Sequence, residues 1–476
     1  MALFNENISN WSNWGKVFQS IPSFHNLAEY IFQKENLPFS NLTHLTPGSN
    51  AVFRVDDYVI KIYAPKESDI DSASDFETEL YATEFALNAN VLVPKIIASG
   101  TVDDRYSFNY IIMEYIESTP FSEAMKSMSE AEKVEFARKL RIVTDRLNVK
   151  AGEYNGIEVF SAAEHNNRWN KFRDSFNRDR VSYIRSYGYD EKIFVHGDLC
   201  SDNILLNENG DICIIDFADS VLAPLQYEQG HIAVELFNLD RSFLQGYFGN
   251  ISNEELTEIC VSGLLLHDFG ADIIFQHLVP PHSLNSVEDL KTVIQTRLLR
   301  DSLYIYSSRF VITEFDISMA EELQENSIDD DNRRFVPDEV FETVEDAKET
   351  IQWLMDCYQK EYEPLVYPII LHSGENVGYI QAVPKEEGLW EIGYHIGGRY
   401  TGNGYATEAV EVFLPVIMKR LAITTIIGIA LKENAASIRV LEKTGFSLEY
   451  EGFANYQGNN REICRYIYSL NKKKHT

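Results

Sequence analysis

Val195-His196-Gly197-Asp198-Leu199-Cys200-Ser201-Asp202-Asn203-Ile204-Leu205-Leu206, followed after Asn209-Gly210-Asp211 by Ile214-Ile215-Asp216-Phe217-Ala218-Asp219, decides how the first part of this 476-residue chain folds. β-rich segments stand on both sides of a short polar stretch. Asn209-Gly210 is a tight-turn signal that folds the two strands into a hairpin and returns Asp216 beside Asn203. A lone aspartate after a strand is ordinarily a turn residue. Here Asp198, Asn203 and Asp216 follow one another as phosphoryl transfer requires. That chemistry needs one carboxylate to orient an attacking hydroxyl and oxygen ligands for the metal that neutralises the phosphates.

Upstream segments agree with this reading. Leu45-Thr46-Pro47-Gly48-Ser49-Asn50-Ala51-Val52-Phe53-Arg54-Val55 and Tyr58-Val59-Ile60-Lys61-Ile62-Tyr63 flank Asp56-Asp57 and read as a hairpin. Lys61 sits in an apolar strand, where an unpaired charge is costly, so it calls for an anionic partner. The alternative is a solvent-facing lysine on an edge strand. Residues 75–87, with Phe76, Leu80, Phe85 and Leu87 among acidic residues, read as a helix carrying Glu77 and Glu79. Strands are expected over 91–100 and 110–116. A helix is expected from Ser129 to Leu147, opened by a capping-box spacing between Ser129 and Glu132.

These residues resemble the aminoglycoside phosphotransferase family, whose signature is His-Gly-Asp, four residues, Asn, then Ile-Asp-Phe or Ile-Asp-Trp. The resemblance covers residues 40–250 and implies a two-lobed protein-kinase-like domain. It makes Asp198 the catalytic base, Asn203 and Asp216 the magnesium (Mg2+) ligands, and His196 a residue that shapes the catalytic loop. It puts Lys61 on the α- and β-phosphates of ATP or GTP, paired with Glu79 or, alternatively, Glu77. Gly48-Ser49-Asn50 would turn over the phosphates, and Met113-Glu114-Tyr115-Ile116 falls where the hinge backbone binds the base. The turn is not the Gly-x-Gly-x-x-Gly of protein kinases, which points to a small-molecule kinase. Gln226-Tyr227-Glu228-Gln229 departs from the Tyr-Asp-Leu run of many relatives. Beyond it, His231, Glu235, Asp240, Asp268 and Asp272 read as helix-surface residues, with substrate contact as the alternative.

Helical patterns continue to about Leu299, and the texture changes after Leu303-Tyr304-Ile305-Tyr306. A new α/β region begins near Ser308-Arg309-Phe310-Val311-Ile312, which divides the chain into domains over 1–301 and 302–476. In the second, Trp390-Glu391-Ile392-Gly393-Tyr394-His395-Ile396 reads as a strand. It runs into Gly397-Gly398-Arg399-Tyr400-Thr401-Gly402-Asn403-Gly404-Tyr405-Ala406-Thr407-Glu408, a glycine loop opening a helix that contains Pro415. Glycines let the backbone approach a pyrophosphate, and the free N–H groups of a helix start supply donors. Asn434-Ala435-Ala436-Ser437-Ile438-Arg439-Val440-Leu441-Glu442-Lys443-Thr444-Gly445-Phe446 is a further helix with a glycine cap.

The two stretches resemble the GNAT acetyltransferases, over residues 303–470. That implies an α/β domain with a mixed sheet, and acetyl-CoA held by Arg399, Gly402, Asn403, Gly404, Tyr405, Ala406 and Asn434. The run from Arg309 to Ile312 and then Phe335-Val336-Pro337 is similar to the ribosomal-protein N-acetyltransferase subgroup, which makes Ser437 a donor to the leaving thiolate. The acceptor amine must lose a proton, and Glu391, on the strand before the loop, is the first candidate base; a structural or substrate-binding role is the alternative. A tyrosine acid common in other branches is replaced by Leu441 here, and Tyr394 and His395 are the next candidates.

Composition bounds these readings. The chain is 45% hydrophobic and 24% charged, as in soluble globular proteins, with no apolar run long enough to span a bilayer. No signal-peptide pattern opens it, and five scattered cysteines without a Cys-x-x-Cys pair argue against a disulfide framework, so a cytoplasmic location is expected. A formal charge of −31 argues against nucleic acid as the main partner and fits either cationic ligands or simple solubility. The leading expectation is a bifunctional enzyme that phosphorylates and acetylates an aminoglycoside-like antibiotic. A second joins a metabolite kinase to a protein N-terminal or amino-sugar acetyltransferase, and a third makes one domain a ligand sensor.

Overall fold

The computed structural model describes residues 3–45, 48–70, 72–299, 302–328, 330–335, 339–358, 360, 362–385, 388–456 and 458–470. Thr46-Pro47, Val336-Pro337 and position 301 of the stretches quoted above lie outside the described residues. The chain forms two compact units, Met1–Ile273 with Asn285–Leu298, and Ile274–Leu284 with Leu299–Thr476.

The first unit is two-lobed. One lobe holds a five-stranded antiparallel sheet in the order Thr43–His44, Ala51–Val55, Tyr58–Ile62, Ser107–Glu114, Ile96–Asp103. Ala51–Val55 alternates buried and half-buried positions, as a strand with one core face does. Phe53, Ile60, Ile62, Phe108 and Ile112 from the sheet pack with Trp14, Phe24 and Phe32 of the N-terminal helices. Asp56, at φ +52°, makes the expected turn between the second and third strands. The helix Ser72–Asn88 follows, and residues 91–95 then run irregularly before the strand at Ile96.

The other lobe is mostly helical and includes Glu130–Leu147, which opens with the expected Ser129–Glu132 capping box. It frames two small sheets, Ser118–Pro120 with Ile204–Asn207 and Ile212–Ile214, and Ile193–Val195 with Val221–Ala223. The Ile204–Asn207 and Ile212–Ile214 hairpin turns at Gly210, φ +72°.

The second unit is built on an eight-stranded mixed sheet. Its order is Ile305–Tyr306, Phe310–Ile312, Leu365–Leu371, Asn376–Pro384, Trp390–Ile396, Thr425–Leu431, Asn459–Ser469, Ser447–Tyr456. Every neighbouring pair is antiparallel except Trp390–Ile396 with Thr425–Leu431, which run parallel and share register only at Glu391/Ile427 and Ile392/Gly428. Beyond Ile392 these two strands part, and the sheet is notched. The helix Tyr405–Arg420 runs continuously through Pro415 and packs Phe413, Leu414 and Ile417 on the sheet against Tyr367, Ile380 and Ile392.

Candidate active sites

Tyr58–Ile62 lies inside its sheet, so Lys61 is 5% exposed instead of standing on a solvent edge. Its Nζ donates to Glu79 Oε2 at 2.6 Å and to Asp216 Oδ1 at 2.7 Å. Glu79, of the two helix carboxylates considered, is the one on the lysine. Tyr63, fully buried, donates its hydroxyl to the same Glu79 oxygen, a contact with no signal in the sequence. Burial opposes the charge on Lys61, but Asp216 and Glu79 outweigh it and raise its pKa. Burial likewise opposes the charge on Asp216, and Lys61 overcomes it to hold that carboxyl below its ordinary value. At Glu79 burial prevails, and its pKa is raised despite Lys61.

The loop from His196 to Asn203 is shaped from several sides. Gly197 has φ +84°, and a Cβ there would stand 2.0 Å from the Asp219 carbonyl oxygen, so no larger residue fits. His196 is fully buried, and burial pushes its pKa down to about 4. The neutral ring satisfies both nitrogens: Nε2 donates to the Ile215 carbonyl at 3.0 Å, and Nδ1 accepts from the Asp198 N–H at 3.2 Å. Beneath the loop, Glu228 accepts from the His196 and Gly197 N–H groups at 3.2 and 3.1 Å, one on each carboxylate oxygen. Sequence reasoning saw only a departure at Gln226-Tyr227-Glu228-Gln229; the acid beside the tyrosine was the available signal.

Asn203 Nδ2 donates to the Asp198 carbonyl and to its Oδ2, at 2.8 and 2.9 Å. Its Oδ1 is thereby left as an oxygen donor, and Asp216, held at φ +60°, offers a carboxylate in the same cleft. Non-glycine residues at such angles are costly and gather at functional sites. These two oxygen donors fit Mg2+, which takes one or two protein carboxylates and completes its shell with phosphates and water. Burial, with Glu235 and Asp216, raises the Asp198 pKa. Asp219 is pushed up to about 7 by burial and by Asp198, Asp216 and Asp75.

Gly48, Lys61, Glu79, Glu114, Ile116, Asn203 and Asp216 come together on one cleft of about 290 Å³, walled by Val59, Leu205 and Ile215. Ser49 is not on its wall; its carbonyl accepts from Trp14 Nε1 at 2.9 Å. The helix-surface reading fails for His231, which is fully buried with Nε2 2.9 Å from Glu235. Asp240 caps Arg241–Phe248 and pairs with Lys133 at 2.5 Å, while Asp272 pairs with Arg168 at 2.7 Å and with Lys171.

In the second unit Gly402 and Gly404 have φ +79° and +80°, and Gly404 is the N-cap of Tyr405–Arg420. Among the described residues no side chain hydrogen-bonds to that end of the helix. Gly402, Gly404, Tyr405, Ala406, Asn434 and Ser437 line one groove of about 480 Å³. Arg399 and Asn403 are on the loop but off the groove wall. Arg399 stacks on Tyr400 with Nη2 3.6 Å from Glu325, and the Asn403 carbonyl accepts from Arg309 Nη1 at 2.7 Å. Arg309 also donates to Glu408 at 2.5 Å, bracing the loop in a way the sequence did not signal. Asn434 Oδ1 accepts from the Ser437 N–H at 3.1 Å and so caps Ala435–Lys443 as well.

Where the parallel strands part, a second cleft of about 860 Å³ opens. Phe335, Tyr394, Asn434 and Ser437 line both the groove and this cleft, whereas Glu391 lines the cleft alone. Glu391 is 2.8 Å from Lys385, and burial raises its pKa against that charge. Glu339, across the cleft, accepts from Tyr379 Oη and from Gln381 at 3.3 Å.

Residues 46–255 match the phosphotransferase enzyme family, and residues 309–447 match the acetyltransferase (GNAT) domain. The chain carries a phosphotransferase domain followed by a GNAT acetyltransferase domain. This two-domain transferase is 29% identical over 153 residues to the uncharacterized N-acetyltransferase YnaD of Bacillus subtilis, a span of 32% of this chain and 85% of that one. It is 25% identical over 178 residues to the uncharacterized N-acetyltransferase p20 of Bacillus licheniformis, covering 36% and 97%. A GNAT-family acetyltransferase from Bacillus anthracis of known structure is 26% identical, covering 35% of this chain and 98% of that one, with a TM-score of 0.31. Among the described residues no helix is long and apolar enough to cross a membrane.

Proposed function

We propose that this chain is a bifunctional enzyme for a cationic, hydroxyl- and amine-bearing small molecule of the aminoglycoside antibiotic class, and that it confers resistance by modifying it. The first domain transfers a phosphoryl group from ATP or GTP to a hydroxyl, and the second transfers acetyl from acetyl-CoA to an amine. The observation that carries this reading is the convergence of Lys61, Glu79, Asn203 and Asp216 on one cleft, together with a glycine-lined groove in the second unit bounded by Gly402, Gly404, Tyr394 and Ser437. In the second unit's cleft Glu339 and Glu391 are matched by Lys385 and Arg465, so the cationic class of the substrate is drawn from the chain's formal charge of −31. A net negative charge attracts amines, and each modification removes a donor or changes a charge that recognition of the drug needs. Five free cysteines among the described residues are in keeping with a cytoplasmic enzyme.

In the phosphotransferase domain Lys61, held by Glu79, binds the phosphates, and Glu114 and Ile116 offer backbone groups to the base. Asn203 and Asp216 would hold Mg2+, which supplies charge neutralisation at the phosphates when bound. Asp198 orients the acceptor hydroxyl and takes its proton. In the acetyltransferase domain the Gly402–Gly404 turn and the first-turn amides hold the pyrophosphate. Glu391, directly or through one water, takes a proton from the acceptor amine in the 860 Å³ cleft, whose size suits a drug-sized ligand. Ser437 donates to the departing sulfur.

A mass-spectrometric screen of aminoglycosides and other hydroxylated amines with ATP, GTP and acetyl-CoA tests the reading. A mass gain for phosphate and for acetyl on one compound is expected. Silence across all aminoglycosides would remove the antibiotic assignment.

A further inference from the structure

The Tyr394 hydroxyl stands 2.9 Å from the Ser437 carbonyl oxygen and 3.0 Å from Ser437 Oγ. A phenol has one proton to give, and two acceptors are in reach. In one arrangement Tyr394 donates to the carbonyl and Ser437 donates back to the phenol oxygen, which ties up the serine proton. In the other, Tyr394 donates to Ser437 Oγ, and the serine O–H is turned outward. Both residues lie on the border shared by the cofactor groove and the acceptor cleft, where a thioester held in one must meet an amine held in the other. The helix Ala435–Lys443 offers no phenol of its own there. Leu441 is 1% exposed and packs so closely on Gly428 that a Cβ at 428 would meet it at 2.6 Å.

We infer that Tyr394 is a positioning residue for acetyl transfer: its hydroxyl turns the Ser437 O–H toward the departing sulfur of coenzyme A. This rests on the reading of Ser437 given above. As the acceptor nitrogen bonds to the thioester carbon, the carbon–sulfur bond breaks with its electron pair on sulfur. Ser437 donates a hydrogen bond to that pair, and the amine proton leaves through Glu391. Tyr394 gives up no proton, and burial, by raising its pKa, keeps it a donor throughout the neutral range.

The test is the acidity of the coenzyme A thiol bound to the full chain, followed by thiolate ultraviolet absorbance against pH as a difference from the unliganded protein. The wild-type chain is expected to make the bound thiol about tenfold more acidic than free coenzyme A. Ser437→Ala should abolish that gain, and Tyr394→Phe should remove about threefold of it while calorimetric binding of coenzyme A persists. If Ser437→Ala leaves the bound thiol as acidic as before, the reading of Ser437 fails and the inference with it. If Ser437→Ala abolishes the gain and Tyr394→Phe changes nothing, the role of Tyr394 alone is overturned. Should Tyr394→Phe lose coenzyme A, ring-fluorinated tyrosine at 394 keeps the shape and strengthens the donor. A more acidic bound thiol then supports the role, and an unchanged one overturns it.

Discussion

Lys61 Nζ and Asp216 Oδ1 lie 2.7 Å apart although 155 positions separate the two residues in the chain. The contact ties the five-stranded sheet to the hairpin after the His196–Asn203 loop and closes the cleft around Lys61 from two sides. Lys61→Met should therefore cost more than a phosphate contact. It leaves Glu79, 3% exposed, with Tyr63 as its remaining side-chain donor. A loss of about 3 kcal/mol in chemical denaturation of the first unit is expected, together with loss of phosphorylation. Undiminished stability would mean that the pair is not buried as described.

Gly197→Ala tests the catalytic loop. The added carbon meets the Asp219 carbonyl at 2.0 Å and the backbone is at φ +84°, so a penalty of at least about 2 kcal/mol is expected. Phosphorylation should fall with it, and acetyl transfer should be unchanged in the same preparation.

The Gly402–Gly404 loop makes a parallel case in the other unit. Gly404→Val places a β-branched side chain at φ +80° on the end that presents the helix amides. Acetyl-CoA affinity measured by calorimetry should drop at least about tenfold, given a conformational cost of about 1–2 kcal/mol. Unchanged affinity would remove the loop from cofactor binding.

Much of this was legible beforehand. The order Asp198, Asn203, Asp216 and the Asn209-Gly210 turn sufficed to put three functional groups together, because a hairpin has a fixed period and a short return. Lys61 was readable for a similar reason: a charge inside an apolar strand has to find a partner. Glu228, Tyr63 and Arg309 were not. Each acts on residues far away in the chain through backbone amides, a shared carboxylate oxygen or a loop carbonyl, and one sequence does not record which surfaces tertiary packing brings together. Arg399 and Asn403 illustrate the converse. A loop motif names positions, but the loop conformation decides which of them turn to the groove.

Glu391 gives acetyl transfer a pH signature. Burial raises its pKa above the ordinary carboxylate value, and Lys385 at 2.8 Å opposes that only in part. A base acts when ionised, so kcat/KM for acetyl-CoA should rise with pH and level off above the raised pKa. Stability runs the other way. The folded state holds this proton more tightly than the unfolded chain, so its contribution is present below the unfolded pKa and lost as pH rises through the folded one. Lys385→Met should move the activity limb to higher pH, and Glu391→Gln should flatten it and lower the rate about a hundredfold. A limb that survives Glu391→Gln belongs to another group.

The most direct measurement of the central claim is product mass from the full chain given an aminoglycoside, ATP or GTP with Mg2+, and acetyl-CoA, run beside Asp198→Ala and Glu391→Gln. The wild-type chain should yield phosphorylated and acetylated drug. Asp198→Ala should yield the acetylated product alone, and Glu391→Gln chiefly the phosphorylated one. Phosphorylated product from Asp198→Ala, or no modified drug from the wild-type chain, would contradict the account.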